Sequence, residues 1–585
     1  MKRTLAVLAV TLLTALAAPR LVAQNAAAPA ADNGKPQLWL YWHTGLASDQ
    51  NLTKSIAMVQ RMKKAGYTGI AYLDNQFHRI NAWDAHYETN LQKFRQACTE
   101  NGMDLVATVL PLGYANDIMI ADPNLADAIP LENAPFVVKD GKLVPDDDVK
   151  LINGTFEQND GNKLTGWSID KPGVACFVDT QVTYQGKPSV RMEDIQKNGE
   201  FDHARAWQPL KVKPFRAYHL SVAVKTENYK AGDVRLMALG STDGKEHSGH
   251  PLNLPTFNDV KSTQDWTIYH KTFNTQDCDN VAIYVGDWGG RTGKIWFADV
   301  KMEPVGLSNI VRRGGAPFKA TLADGTTVLA EGKDLPKMVD PMLGNAGHPG
   351  GYQWHEGPVL QIPAGSSLKE GDKVLLSYAT THVMEYNDQV PICMAEPKTY
   401  ELIDKIVAHT QQYLKPDYWF MEHDETRLQG WDKSCTDTGK TPGGILADNI
   451  GKCTAIIHKY APQAKGIYVW SDLFDPFHNA GYKGEYFAMC KGINPWDKSW
   501  EGLPKEVGLI NWNAGKPQSI EFFSKEGHPQ VLSNVSPQSI ARILQTSGKD
   551  PGVKGAIYVT WSDDFGPNVE KYAEAVLAWY KQQGK

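Results

Sequence analysis

The feature that most limits how this chain can fold is an alternation that starts, stops and resumes. Near the beginning, short apolar runs occupy residues 38–43 (LWLYWH), 69–73 and 104–110 (DLVATVL). Between them lie helix-period segments, one carrying Ile56, Val59 and Met62 and one over residues 85–100. Strand, helix, strand at this spacing signals parallel βαβ units. The pattern resumes with apolar runs at 418–423, 466–470, 507–512, 530–534 and 555–561. Helical segments accompany them at 400–414 and 444–460, at the Ser536-Pro537 start, and where Val569, Tyr572, Val576 and Trp579 recur.

Counting decides the ring. With the run 374–382 (VLLSYATTH) there would be nine strands, and without it eight. A closed barrel of this class takes eight, so 374–382 is assigned to an inserted β layer. The expected fold class is therefore α/β: a TIM (β/α)8 barrel interrupted after strand 3 by a β-sandwich and a small β-rich insertion. The expected division is residues 36–112 for the first part of the barrel, 151–305 for the sandwich, 306–395 for the small insertion and 396–585 for the second part. Within the small insertion, FKATLA and TTVLAEG flank Asp324-Gly325, a hairpin signal.

Residues 1–23 read as a secretory signal peptide, with Lys2 and Arg3 before the apolar run Leu5 to Ala18. Residues 24–35 read as a linker. The expected location is periplasmic or extracellular. No later apolar run is long enough for a membrane helix, so no membrane insertion is expected. A net charge of −6 gives no basic footprint for nucleic acid. The seven cysteines have no zinc-motif spacing; Cys435 with Cys453 is one candidate pair, and buried free thiols are the alternative. Oligomeric state is not legible.

Chemistry concentrates where apolar strands end. The stretch 418–425, YWFMEHDE, finishes in Glu422, His423, Asp424 and Glu425. Buried without partners these groups would be costly; at the C-terminal mouth of a parallel barrel they would form a site. Three further strands end in Trp470, Trp512 and Trp561. Three converging indoles make a cup for a sugar face or an acetamido methyl. Adjacent Asp424 and Glu425 on an extended chain point to opposite sides. That suits substrate-assisted glycoside cleavage better than an acid and nucleophile across one bond. Asp472, His423, His43 and Asp74, also at strand ends, join the substrate-binding candidates. Glu396 and Asp472 are alternative second carboxylates, and Asp475 is either a substrate ligand or a loop cap. Arg427 is a candidate ion-pair partner for the carboxylates.

Two resemblances follow. The barrel segments resemble glycoside hydrolase family 20, the β-N-acetylhexosaminidases, through Asp424-Glu425 after strand 4 and Trp561-Ser562-Asp563 after the last strand. The resemblance implies Glu425 as general acid/base, Asp424 as the group orienting a substrate acetamide, the three Trp as walls and Asp563 as a sugar hydroxyl ligand. No catalytic cofactor is implied. Glu422-His423 stands where that family has Gly-Gly, and Trp42-His43-Thr44-Gly45 where it has an Arg. Residues 151–305, opening with NGTFE at 153–157 and closing with IWFADV at 295–300, resemble the family 4/9 carbohydrate-binding modules. That resemblance implies a jelly roll, Glu157 and Asp299 as candidate ligands of a structural calcium, and a glycan partner. Trp207, Trp266 and Trp288 could then stack on sugar rings or belong to the core. The alternatives to hydrolysis of N-acetylhexosaminides are a non-catalytic glycan-binding protein and a two-carboxylate glycosidase.

Overall fold

The computed structural model describes residues 35–146, 149–195, 203–230, 232–242, 249–289, 292–345, 347–384, 389–481, 488–562 and 564–583. The proposed signal peptide and nearly all of the linker lie outside them.

Eight parallel strands close a barrel in chain order: Gln37–His43, Gly69–Leu73, Asp104–Val109, Tyr418–Met421, Gly466–Trp470, Val507–Asn511, Gln530–Asn534 and Val553–Tyr558. The ring shuts where Gln37 pairs with Gly555. A Cβ on Gly555 would lie 2.1 Å from the Gln37 carbonyl oxygen, so only glycine lets the first and last strands meet there. These runs are mostly apolar because both faces are buried. Alternate residues, among them Trp39, Tyr41, Phe420, Tyr468, Trp470, Ile510, Val531 and Ile557, fill the barrel. The intervening residues, such as Leu38, Trp419, Met421 and Val469, pack outward against the helices.

The expected α/β class, a TIM (β/α)8 barrel, is corrected. The parallel ring is one sheet of five, the other four are antiparallel, and the helical share is small. After the fifth strand no α-helix forms among the described residues; one 3-10 turn, Ser499–Gly502, stands in that connection. The physical reason is where the chain spends its length. More of it goes into the β layers between Val109 and Pro397 than into crossover helices.

Those layers are three antiparallel sheets and a two-stranded ribbon. One sheet runs Gln264–Asn274, Ala217–Lys230, Thr292–Pro304, Lys187–Glu193, Cys176–Tyr184. A second runs His250–Pro251, Asp233–Ser241, Asn280–Trp288, His203–Lys211, Ser168–Ile169. They share one core, with Val190, Leu220, Val222 and Phe297 from the first against Leu236, Ile283 and Val285 from the second. In the third sheet Lys373–Thr380 pairs antiparallel with Ile129–Lys139, away from the ring. At the Asp324-Gly325 turn, Leu322 N–H donates to Thr327 O at 2.9 Å, and Asp324 accepts from the Thr327 hydroxyl and from the Thr326 and Thr327 amides. Those bonds, the hydroxyl's first, hold the Asp324 carboxyl down at about 2.

Among the described residues no helix is long and apolar enough to cross a membrane. All seven cysteines are buried and unbridged. Cys435 lies 3.7 Å from Cys393, whereas Cys453 is beside Asn449 instead, so the proposed Cys435–Cys453 pair is not formed.

Candidate functional site

The site begins as an extension of the barrel's inward row. Tyr418 and Phe420 point inward, and strand alternation puts Glu422 on the same row. Glu422 N–H donates to Val109 O and His423 N–H to Leu110 O, so parallel pairing continues past Met421. The buried Tyr41 hydroxyl donates to Glu422 Oε1 at 2.6 Å. Burial pushes the Glu422 carboxyl up to about 7, against the opposing pull of that bond. The fifth strand repeats the device: Tyr468 and Trp470 are inward, and Asp472 follows at 7% exposure. Burial first, then the charge of Glu425, raises Asp472 to about 7.

The chain then kinks. His423 and Glu425 both have positive φ, at 49° and 43°. Such non-glycine residues cost on the order of 1–3 kcal/mol each and persist where the surroundings enforce them. Here the enforcement is visible. The loop after the third strand passes so close that a Cβ on Gly113 would lie 2.0 Å from the Asp424 carbonyl oxygen. Gly113→Ala should therefore displace residues 424–426 and reduce any activity of this site more than overall stability; parallel melting and ligand-binding measurements on the variant check this. The next residue, Tyr114, donates its hydroxyl to Glu425 Oε2 at 2.5 Å. Gln389 Nε2 donates to the same oxygen at 3.1 Å, and Arg427 lies 3.4 Å from Oε1. Asp424 is held well above the carboxylate range by burial, then by the charges of Glu422, Asp472 and Glu425. Its Oδ1 is buried without a hydrogen-bond partner, and so is Trp470 Nε1.

The three indoles converge. Ring centroids are 5.7 Å apart for Trp470–Trp512 and for Trp470–Trp561, and 5.6 Å for Trp512–Trp561. Tyr41 joins them, 5.4 Å from Trp561. Trp470 is the buried floor, and Trp561, 57% exposed with φ 56°, is the rim. The result is an aromatic cup beside four carboxyl groups.

Other sequence candidates fall elsewhere. His423 is buried on the outward row, bonded to Asn449 of the helix Pro442–Tyr460 at 2.7 Å, so it does not face the cup. Asp74 accepts from Leu46 N–H, Gln76 N–H and the Tyr72 hydroxyl, and caps a 3-10 turn. Its acceptor capacity is spent on the fold. His43 is exposed beside Asn75 at 3.1 Å. Asp475 accepts from Phe477 N–H, Asn513 and Ser519, which makes it a loop cap. Glu396 sits at a helix start with Arg313 and Ser434. Asp563 lies outside the described residues. Tyr41, Tyr114 and Gln389 are site residues not selected from sequence, and Glu422 stood among the strand-end acids without a role of its own. The inward row 39, 41 and 418, 420, 422 carried the signal for Tyr41 and Glu422; nothing local marked the other two.

On the sandwich, Trp207 and Trp288 share the second sheet, while Trp266 lies on the first beside Tyr184, so the three do not form one platform. The Arg205 guanidinium lies 5.6 Å from the Trp207 ring and 5.9 Å from Trp288, and Arg235 covers Trp288 at 4.8 Å. The strips of cation over indole give flat, polar-edged surfaces. Glu157 and Asp299 are engaged by Lys187 at 3.5 Å and Lys301 at 2.7 Å. They are not among the described side-chain groups placed to share a metal ion.

Residues 150–288 match the family model described as Carbohydrate binding domain. They form a carbohydrate-binding domain. No curated protein matches the chain. Among solved structures, the CBM22-1 xylan-binding domain from Paenibacillus barcinonensis has 15% identity over 27% of this chain and 92% of its own, with a TM-score of 0.20. A structure titled for CBM4 has 21% identity over 26% and 99%, with a TM-score of 0.20. The chitobiase of Flavobacterium johnsoniae has 15% identity over 33% and 32%, with a TM-score of 0.24. These three likenesses are too distant to bear on activity, and the family match concerns residues 150–288 alone.

Proposed function

We propose that this chain is an exported glycoside hydrolase whose sandwich holds the glycan while the barrel mouth cleaves it. The observation that carries the proposal is the pair of unpaired buried groups in the cup. Asp424 Oδ1 lacks a donor and Trp470 Nε1 lacks an acceptor. An acetamido group supplies one of each, with its methyl against indole. Buried polar atoms without partners cost about 1–3 kcal/mol apiece, so a ligand that satisfies both gains that much differential binding. In this reading Glu425 protonates the departing oxygen. Asp424 accepts the acetamide N–H, and the acetamide oxygen attacks the anomeric carbon. The test is hydrolysis of paired aryl glycosides, N-acetylhexosaminides against plain hexosides. Cleavage confined to the former supports the reading, and cleavage confined to the latter removes the acetamide role.

A second reading has its own support. Tyr114, Gln389 and Arg427 all face Glu425 as donors, which suits a working carboxylate anion. Asp472, raised to about 7, suits the proton donor. That is a two-carboxylate glycosidase with Glu425 and Asp472 in the two roles. If neither class of glycoside is cleaved while glycan is bound, the chain is a binding protein.

For the sandwich, Trp288→Ala should weaken glycan binding by about 10-fold or more, because an indole platform under a sugar contributes roughly 1–2 kcal/mol. Binding to a polysaccharide panel by affinity electrophoresis checks this, with aryl-glycoside turnover at the barrel unchanged.

A further inference from the structure

Where the insertion leaves and rejoins the barrel, four buried side chains from three chain segments meet. Asp127 lies before the strand Ile129–Lys139, Cys393 before the helix Pro397–Tyr413, and Asp432 and Cys435 after the loop that carries Glu425. One ligand atom from each lies within 4.8 Å of all the others. Cys393 Sγ is 3.7 Å from Cys435 Sγ and 3.9 Å from Asp432 Oδ1. Cys435 Sγ is 3.8 Å from Asp127 Oδ2.

Tetrahedral zinc has Zn–S near 2.3 Å and Zn–O near 2.0 Å, which sets S–S edges of about 3.8 Å and S–O edges of about 3.5 Å. The observed edges fall close to these values. The outer oxygens are already held by hydrogen-bond donors, as metal-binding carboxylates commonly are. Ala128 N–H donates to Asp127 Oδ1 at 2.9 Å, and Arg313 pairs with Asp432 Oδ2. On the inner side Asp432 Oδ1 accepts the Cys435 N–H at 3.0 Å and faces the Cys393 thiol, and Asp127 has less. Asp127 is 0% exposed, and its Oδ2 has only the weak thiol donor of Cys435. A disulfide between Cys393 and Cys435 would remove even that donor.

We propose that Asp127, Cys393, Asp432 and Cys435 bind one zinc ion that clamps the roots of the insertion to the loop carrying Glu425. Binding replaces the two thiol protons, which leave to solvent, with two Zn–S bonds; no redox change occurs. The site is independent of the hydrolase reading, since none of its ligands lies in the aromatic cup.

The experiment uses the full chain, incubated with zinc sulfate and then desalted. Elemental analysis should find about one zinc per chain, falling close to zero in Cys393→Ser and in Asp127→Asn. Cobalt(II) added to the metal-free wild type should give the intense near-ultraviolet absorption of thiolate-bound cobalt, a readout that needs no variant to fold. Zinc should also protect Cys393 and Cys435 from alkylation in a peptide map. A wild type that retains no zinc above the Cys393→Ser level, or lacks the cobalt band, overturns the proposal. So does a non-reducing peptide map with Cys393 joined to Cys435.

Discussion

Glu425→Gln should lower turnover of a glycan with a poor leaving group by about 10²–10⁴-fold, the usual range for losing a general acid or base. The substitution is nearly isosteric and leaves an oxygen that can still accept from Tyr114 and Gln389, so the melting temperature should move little. Leaving-group dependence then separates the two mechanisms. If Glu425 donates the proton, the variant keeps much of its rate on activated aryl glycosides, whose leaving groups need little protonation. Asp424→Asn should then be impaired on both kinds of substrate, because it acts on the attacking acetamide. If Glu425 is the anion and Asp472 the donor, the pattern transfers: Asp472→Asn is spared on activated substrates and Glu425→Gln is not. Full activity of Glu425→Gln on natural glycan would remove the barrel mouth from the chemistry altogether.

Much of this site was legible because strand alternation and strand ends are local properties. The runs 69–73 and 466–470 are apolar throughout, and a run with both faces buried has little alternative. Three of them end in Trp, and once the ring closes those ends converge. The same rule, carried one step further along 418, 420, 422, would have put Glu422 inside and His423 outside. What local pattern does not contain is the kink. Positive φ at His423 and Glu425 is imposed by the close pass of Gly113 beneath residues 424–426. Tyr114 reaches Glu425 across the whole insertion and Gln389 from its far end, and no sequence spacing encodes those contacts. Cys435 likewise meets Cys393 and Asp127 from distant segments, which hid the cluster from any spacing rule. The expected (β/α)8 regularity failed between Trp470 and Val507, where the described residues form one 3-10 turn and no α-helix. Apolar periodicity marks elements that exist and is weaker at excluding those that do not.

Raising the pH from 5 to 8 should destabilise the wild-type protein, and Glu422→Gln should remove a large part of that loss. Glu422 sits at 3% exposure between Tyr41 and the other acids of the mouth, and its carboxyl titrates at about 7. In the unfolded chain a Glu titrates at about 4.3. Between those values the folded state holds a proton that the unfolded state has released. Stability therefore falls with rising pH across that window. The contribution is fully present below about pH 4 and is lost as pH rises through about 7, where ionisation must occur in a buried site. For Glu422 alone the loss by pH 8 is on the order of 3 kcal/mol. Gln at this position keeps an oxygen to accept the Tyr41 hydroxyl and cannot ionise. The variant should match wild type near pH 4 and melt several degrees higher at pH 8. Asp472, also raised to about 7, and Asp424, raised by burial and the neighbouring acids, leave a slope of the same sign in the variant. Thermal melts of both proteins over that pH range decide the matter: parallel curves would mean that Glu422 is not held protonated by the fold.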